Sequence, residues 1–294
     1  MRLGTIADGH DGTVAVRLEG DEVVALPHTD VGALLSSTPE WGALAAASGE
    51  RCPLDGARFA PLVPHPNKII CLGLNYAAHI KETGRPTPEY PTLFAKYDGS
   101  LVGSTDPIVL PAVSESVDWE AEMAVVIGRP ARHVAAADAL SHVAGYSVIN
   151  DVTVRDWQRR TTQFLSGKTF ESTTPLGPWL VTPDELPAGG SGLPIRCLVD
   201  GEVMQDSNTS DLLFDVATTI AYISGIITLR PGDVIATGTP GGVGFARDPK
   251  IFLQPGQVLT TEIEGLGTCE NRCVAERAGA ASRRAVHGHD HRKE

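Results

Sequence analysis

Apolar and polar residues alternate in short bursts along most of this chain, with turn residues between the bursts. TVAVRLEGDEVVALP, residues 13–27, reads as two strands joined at Gly20-Asp21, a hairpin signal. VGALLSSTPEWGALAAAS, residues 31–48, predicts short helices. FAPLVPHPNK, with Pro61, Pro64 and Pro66, reads as a linker, because proline removes an amide donor and stiffens the chain. Beyond it KIICLGLNY, PIVLP, EMAVVIG, GYSVIND, IRCLVDGEVMQ, GDVIATG and QVLTTEIEG are β-like runs separated by Gly, Pro and Asp turns. One clear helix is predicted in DLLFDVATTIAYIS, where Leu212, Val216, Ile220 and Ile223 recur at helical spacing. Ser210 or Asp211 would cap its start and Gly225 its end. Many short strands with one or two helices predict a β-rich α+β fold and not a doubly wound βαβ sheet. The divisions expected are a small N-terminal α+β unit over residues 1–62, a main domain over residues 63–275, and a polar tail over residues 276–294. The tail, ending in HGHDHRKE, is expected to be disordered, although its histidines could bind metal adventitiously.

Composition narrows the partners more than the chemistry. The 294 residues are 42% hydrophobic and 20% charged, as in an ordinary globular protein. A formal charge of −12 without a basic stripe argues against nucleic acid and anionic membrane. No apolar run approaches the roughly 18 residues of a membrane span, and MRLGTIADGHDG lacks a signal-peptide core, so a cytoplasmic location is expected. Five scattered cysteines (Cys52, Cys71, Cys197, Cys269 and Cys273) do not form a disulfide framework and are expected to be reduced and structural. Cys269 and Cys273 are spaced too widely, and lack the second pair, for a usual zinc site.

The candidate chemistry begins with SESVDWEAEMAVVIG, where Glu120 and Glu122 interrupt a buried-looking, β-prone run. Residues two apart on a strand share a face, so the two carboxylates project together while Trp119, Ala121 and Met123 take the other side. Asp151 closes AGYSVIND as a third acid. Three carboxylates without a neighbouring imidazole or thiolate make an oxygen-only donor set, which suits Mg²⁺ first, then Mn²⁺ or Ca²⁺. By spacing alone, two glutamates facing solvent from a half-exposed strand fit as well. Arg155, Gln158 and Lys168 follow closely and suit an anionic substrate chelated through a carboxylate, though each alone reads equally as a surface residue. Upstream, a helical turn over residues 76–83 would put His79 and Glu82 on one face, as a general base and its orienting carboxylate or simply as a solvated pair. Gly73 and Gly84 bracket that segment and could hinge a lid. Ser191 lacks the second glycine of a nucleophile elbow, and TGTPGGVG matches neither a dinucleotide fingerprint nor a P-loop, so serine-hydrolase and nucleotide chemistry are unsupported.

Taken in order, LGLNYAAHIKETG, DWEAEMAVVIG, GYSVINDVTVRD, SGKTFESTTPLGPW, QDSNTSDLLFDVATTIAYIS and LRPGDVIATGTPGGVG resemble the fumarylacetoacetate hydrolase family. The resemblance runs over about residues 67–270 and leaves the N-terminal 60 residues and the tail outside it. One departure is Glu171, where relatives often carry aspartate. The resemblance implies a β-rich mixed β-roll or barrel catalytic fold, usually in a homodimer. It implies Mg²⁺ or Mn²⁺ on Glu120, Glu122 and Asp151, and His79 with Glu82 as a water-activating dyad on a lid. Arg155, Gln158, Lys168 and Thr239 would meet the 2-oxo acid end of a small-molecule substrate. The expected reaction is hydrolysis of a C–C bond in a 2,4-dioxo acid (acylpyruvate or fumarylpyruvate) through an enolate at the metal, with Lys168 assisting. The rival expectations are a 2-hydroxyhepta-2,4-diene-1,7-dioate-type isomerase and an oxaloacetate-type decarboxylase on the same site.

Overall fold

The architecture follows from which strands are apolar on both faces. In the computed structural model, which describes residues 1–9 and 12–277, the strand Ala121–Ile127 is buried at every position. Its odd-numbered residues Met123, Val125 and Ile127 join a core that also takes Trp119, Tyr146 and Ile235. Its even-numbered residues Ala124 and Val126 join a second core with Leu34, Leu62 and Leu180 on the opposite side. A strand that alternates between two cores must lie inside a sheet covered on both faces. Ala121–Ile127 is accordingly central, antiparallel to Val143–Asn150 on one side and to Val234–Ala236 on the other.

That sheet has eleven strands and is mixed. From Val234–Ala236 it continues through the parallel neighbour Ile69–Gly73 to Thr92–Lys96. In the other direction it passes from Val143–Asn150 to Thr174–Val181, and then to Arg2–Ala7. The segment predicted as a small N-terminal unit therefore continues the same sheet, through Arg2–Ala7, Thr13–Glu19, Glu22–Ala25 and Arg51–Pro53. The sheet ends in two edge strands and does not close into a barrel. A separate five-stranded sheet is built on the hairpin Pro194–Val199 and Glu202–Asn208 and the pair Val258–Ile263 and Gly267–Ala275. The predicted hairpin at Gly20-Asp21 is present, with Gly20 at φ 66°. The short helices predicted after it are Val31–Ser37 and Trp41–Ala45.

The longest helix begins later than its apolar spacing predicts. It spans Val216–Ile226, is capped by Asp215 and not by Ser210 or Asp211, and runs through Gly225. The cause is Asn75. Its side-chain amide donates to the carbonyls of Phe214 (3.0 Å) and Thr237 (2.7 Å), and its Oδ1 accepts from the Phe214 amide (2.7 Å). These bonds hold Leu213 and Phe214 in a bend ahead of the helix and leave Asp215 to cap it. All five cysteines are free, and all but Cys52 are buried, so the expectation of unpaired structural cysteines agrees with the fold. Among the described residues no helix is long and apolar enough to cross a membrane. The polar tail from residue 278 onward lies outside the described residues.

Candidate active site

The register of the central strands brings the three acids together. Ala121 pairs with Asn150, so Asp151 emerges beside Glu120, and its amide donates to the Glu120 carbonyl at 2.9 Å. Glu120, Glu122 and Asp151 are 5%, 1% and 0% exposed, which removes the solvent-facing alternative. One oxygen from each lies within 4.8 Å of the others.

Three buried cations offset this negative charge. Lys168 Nζ donates to Glu120 Oε2 at 2.6 Å and to Asp151 Oδ2 at 2.7 Å. Lys96 Nζ donates to Asp151 Oδ1 at 2.7 Å and to the Lys168 carbonyl. Arg155 reaches Asp118 through Nε and Glu120 Oε1 through Nη1, each at 2.7 Å. Against the cost of burial, the Lys168 ammonium and Arg155 guanidinium hold the Glu120 carboxyl down at about 2. Burial works to lower the pKa of the Lys168 ammonium, yet Asp151 and Glu120 outweigh it and hold it well above the ordinary range. Glu122 has no cation of its own. Burial, then Asp151 and Glu120, push its carboxyl well above the ordinary range.

The donor set fits a divalent cation. Glu122 accepts from the Gly238 amide at 2.7 Å through Oε2, but its Oε1 is buried without any partner among the described residues. A buried carboxylate oxygen that no protein group satisfies, grouped with two more carboxylates, is a hard-cation position. Charge points the same way. With all four acids ionised, Asp118, Glu120, Glu122 and Asp151 outnumber Lys96, Lys168 and Arg155 by one, so a divalent ion that ionises Glu122 leaves the cluster positive and able to receive an anion. Gly238 sits at φ +95°, and a Cβ there would come within 2.8 Å of Asn75 Cβ, so the amide on Glu122 requires glycine.

The dyad forms on the helix Ala77–Thr83, which ends at Gly84 in the left-handed conformation. His79 Nδ1 meets Glu82 Oε1 at 2.7 Å, and Glu82 Oε2 accepts from the Gly242 amide at 2.8 Å. A carboxylate only accepts, so the proton sits on Nδ1 and Nε2 is the basic nitrogen. His79, Glu82, Glu120, Arg155, Gln158, Lys168 and Thr239 all line one cavity of about 850 Å³, whose walls include Phe94, Phe164 and Phe245. Glu122 and Asp151, grouped with Glu120, are not themselves lining residues of that cavity. Arg155 Nη2 is buried with no partner among the described residues, while Gln158 Oε1 accepts from Arg155 Nη1 at 3.1 Å. The Thr239 hydroxyl donates to the Ala121 carbonyl at 3.0 Å and accepts from Gln205 at 2.8 Å. The structure thus brings every site residue read from the sequence to one place and adds Lys96, Asp118 and Gln205. Their only local signals were a lysine ending the apolar run TLFAK, an aspartate before WEAEM, and a glutamine within a hairpin strand.

Residues 68–274 match the fumarylacetoacetate (FAA) hydrolase C-terminal family. The chain is similar to the mitochondrial oxaloacetate tautomerase FAHD2A of Homo sapiens, with 47% identity over 224 residues, covering 76% of this chain and 71% of that protein. It is also similar to the solved fumarylacetoacetate hydrolase of psychrophilic Exiguobacterium antarcticum, at TM-score 0.83 and 33% identity, covering 94% of this chain and 100% of that one. The 5-carboxymethyl-2-hydroxymuconate delta-isomerase of Mycobacterium smegmatis matches at TM-score 0.77 and 36% identity, covering 95% and 100%. A sheet-rich fold with a buried acidic triad beside a histidine–glutamate pair defines a class of enzyme, and the chain belongs to the fumarylacetoacetate hydrolase family. Its relatives divide among tautomerase, isomerase and hydrolase, so the family establishes an enzyme acting on small acids but not which of these reactions it runs.

Proposed function

We propose that the chain moves a proton between carbon and oxygen of a 2-oxo acid in a divalent-cation-dependent reaction, with oxaloacetate tautomerisation as the primary activity. One observation carries this reading: His79, held by Glu82 at 2.7 Å, opens on the same cavity as Glu120, Arg155 and Lys168. Arg155 Nη2, the unpartnered donor, receives the acid's carboxylate, with Gln158 and Thr239 closing that end. His79 Nε2 takes a proton from C3, and Glu82 stabilises the resulting imidazolium. The Lys168 ammonium stabilises negative charge developing on the 2-oxygen, and return of the C3 proton from the His79 imidazolium to that oxygen, directly or through water, completes the enol. Mg²⁺ or Mn²⁺ on Glu120, Glu122 and Asp151 supplies Lewis-acid polarisation of the 2-oxo group when bound. The name of the human relative supports oxaloacetate.

The dyad also favours a second reading, hydrolysis of a 2,4-dioxo acid such as an acylpyruvate or fumarylpyruvate. There Nε2 deprotonates a water that attacks the distal carbonyl. The C–C bond breaks with its electron pair passing to the 2-oxo end as an enolate, and the proton held by the imidazolium is returned to C3 to give the 2-oxo acid. Decarboxylation of oxaloacetate and isomerisation of a 2-hydroxydienedioate need the same stabilised 2-oxygen without that water. A homodimer working on this small acid, away from nucleic acid and membrane, is part of the same proposal.

The test is an absorbance panel with Mg²⁺ over oxaloacetate, acylpyruvates, fumarylpyruvate and a 2-hydroxymuconate-type dienoate. Fast keto–enol relaxation of oxaloacetate, much reduced by His79→Ala, is the expected outcome. Turnover of acylpyruvates with oxaloacetate untouched would replace the first reading by the second.

A further inference from the structure

We propose that Asp118 is a positioning residue that ties the substrate-binding arginine to the loop on which the dyad docks. The inference rests on the reading above that Arg155 receives the acid's carboxylate. Asp118 is fully buried, yet it is neither a member of the acidic triad nor a lining residue of the cavity. Its Oδ1 accepts from the amides of Trp119 (2.9 Å) and Gly244 (2.7 Å). Its Oδ2 accepts from the Phe245 amide (3.0 Å) and from Arg155 Nε (2.7 Å). Four donors saturate the carboxylate, so it has no capacity left for a metal or a substrate.

Those four bonds join two parts of the site. On one side, Asp118 takes Nε while Glu120 and Gln158 take Nη1, which leaves Nη2 as the only part of the guanidinium without a protein partner. A planar fork fixed at two corners presents its third in one direction. On the other side, Asp118 holds Gly244 and Phe245, and two residues earlier the Gly242 amide donates to Glu82 Oε2 at 2.8 Å. The loop approaches too closely for a side chain: a Cβ on Gly244 would lie 2.8 Å from Asp118 Oδ1 and 2.0 Å from the Ile251 carbonyl. Trp119 Nε1 donates to the Gly242 carbonyl at 3.2 Å, so the residue next to Asp118 grips the same loop. A continuous path runs from His79 through Glu82, Gly242–Phe245 and Asp118 to Arg155. It fixes the distance between the group that moves the proton and the group that holds the acid, which is the quantity that proximity catalysis depends on.

The experiment uses oxalate as a probe with saturating Mg²⁺, comparing wild type, Asp118→Asn, Arg155→Gln and the double variant by calorimetry. Asparagine offers one accepting oxygen and aims an amide N–H at either Arg155 or the loop, so it breaks the tie at nearly constant volume. Asp118→Asn is expected to weaken oxalate about tenfold or more while leaving Mg²⁺ affinity unchanged. In the Arg155→Gln background the same change is expected to have almost no further effect on oxalate, because the group it positions is gone. Equal losses in both backgrounds, or a lowered Tm with oxalate affinity retained, would overturn the assignment. If Asp118→Asn does not fold, ¹⁵N NMR of wild-type Arg155 Nε–H gives the answer: strong protection from solvent exchange with and without oxalate supports the tie, and rapid exchange overturns it. Failure of wild type with Mg²⁺ to bind oxalate at all would instead remove the functional reading beneath it.

Discussion

Glu122 is the one member of the acidic triad with an unsatisfied oxygen among the described residues, with Oε2 on the Gly238 amide and Oε1 on nothing. Glu122→Gln is expected to abolish the Mg²⁺-dependent rise in Tm while leaving the EDTA-treated protein at least as stable as wild type, since a neutral side chain relieves repulsion from Glu120 and Asp151. Scanning fluorimetry with Mg²⁺ and with EDTA checks this. Lys96 behaves oppositely, because its ammonium is fully enclosed by Asp151 and two carbonyls. Lys96→Met removes the partner of Asp151 Oδ1, leaving that carboxylate to Lys168 alone, and should cost about 3–5 kcal/mol in urea unfolding of the metal-free protein. A change within a few tenths of a kcal/mol would mean that Lys96 is not holding the site together. At this scale the triad and the dyad were legible because their members sit two or three residues apart on one element, or at a strand end. Lys96 and Asp118 were not, because their partners Asp151 and Arg155 lie 55 and 37 residues away.

Elements show where periodicity stops being informative. Apolar spacing located the helix containing Val216, Ile220 and Ile223 but placed its start at Ser210 or Asp211. The actual start at Asp215 is set by Asn75, which no local pattern connects to that helix. Asn75 joins the end of Ile69–Gly73, the entry to the helix and the end of Val234–Ala236, just before Gly238 and Thr239. Asn75→Ala removes three hydrogen bonds and leaves their backbone partners without it. It is expected to cost about 2–4 kcal/mol by chemical denaturation and to weaken Mg²⁺ binding through displacement of the Gly238 amide. Unchanged Mg²⁺ affinity would show that the loop keeps its place without Asn75. The strands read from the sequence are those set off by glycine, proline and aspartate turns, while Arg2–Ala7, Thr92–Lys96, Thr174–Val181 and Gly267–Ala275 were not read.

For the whole molecule, the family and fold class were legible, and the particular reaction and the strand connectivity were not. A strand such as Ala121–Ile127, apolar at alternate positions toward two different cores, announces a covered sheet but does not say which strands flank it. The continuation of that sheet into the N-terminal strands depends on the pairing of Arg2–Ala7 with Thr174–Val181, far apart in sequence. The buried cysteines give a check on the integrity of both cores. Burial pushes the thiols of Cys71, Cys197 and Cys269 well up and that of Cys273 to about 12. In the native protein Ellman's reagent is expected to label Cys52 alone, with the other four reacting only after unfolding. Early labelling of Cys71 or Cys197 would mean that the core beside the site opens readily. The central claim is that Glu120, Glu122 and Asp151 hold a divalent ion to which a 2-oxo acid adds, and Mn²⁺ electron paramagnetic resonance tests it most directly. The expected result is one tight Mn²⁺ per chain, a spectrum altered by oxalate, and loss of that site in Glu122→Gln. Mn²⁺ binding that is absent, or equal in wild type and Glu122→Gln, would contradict it.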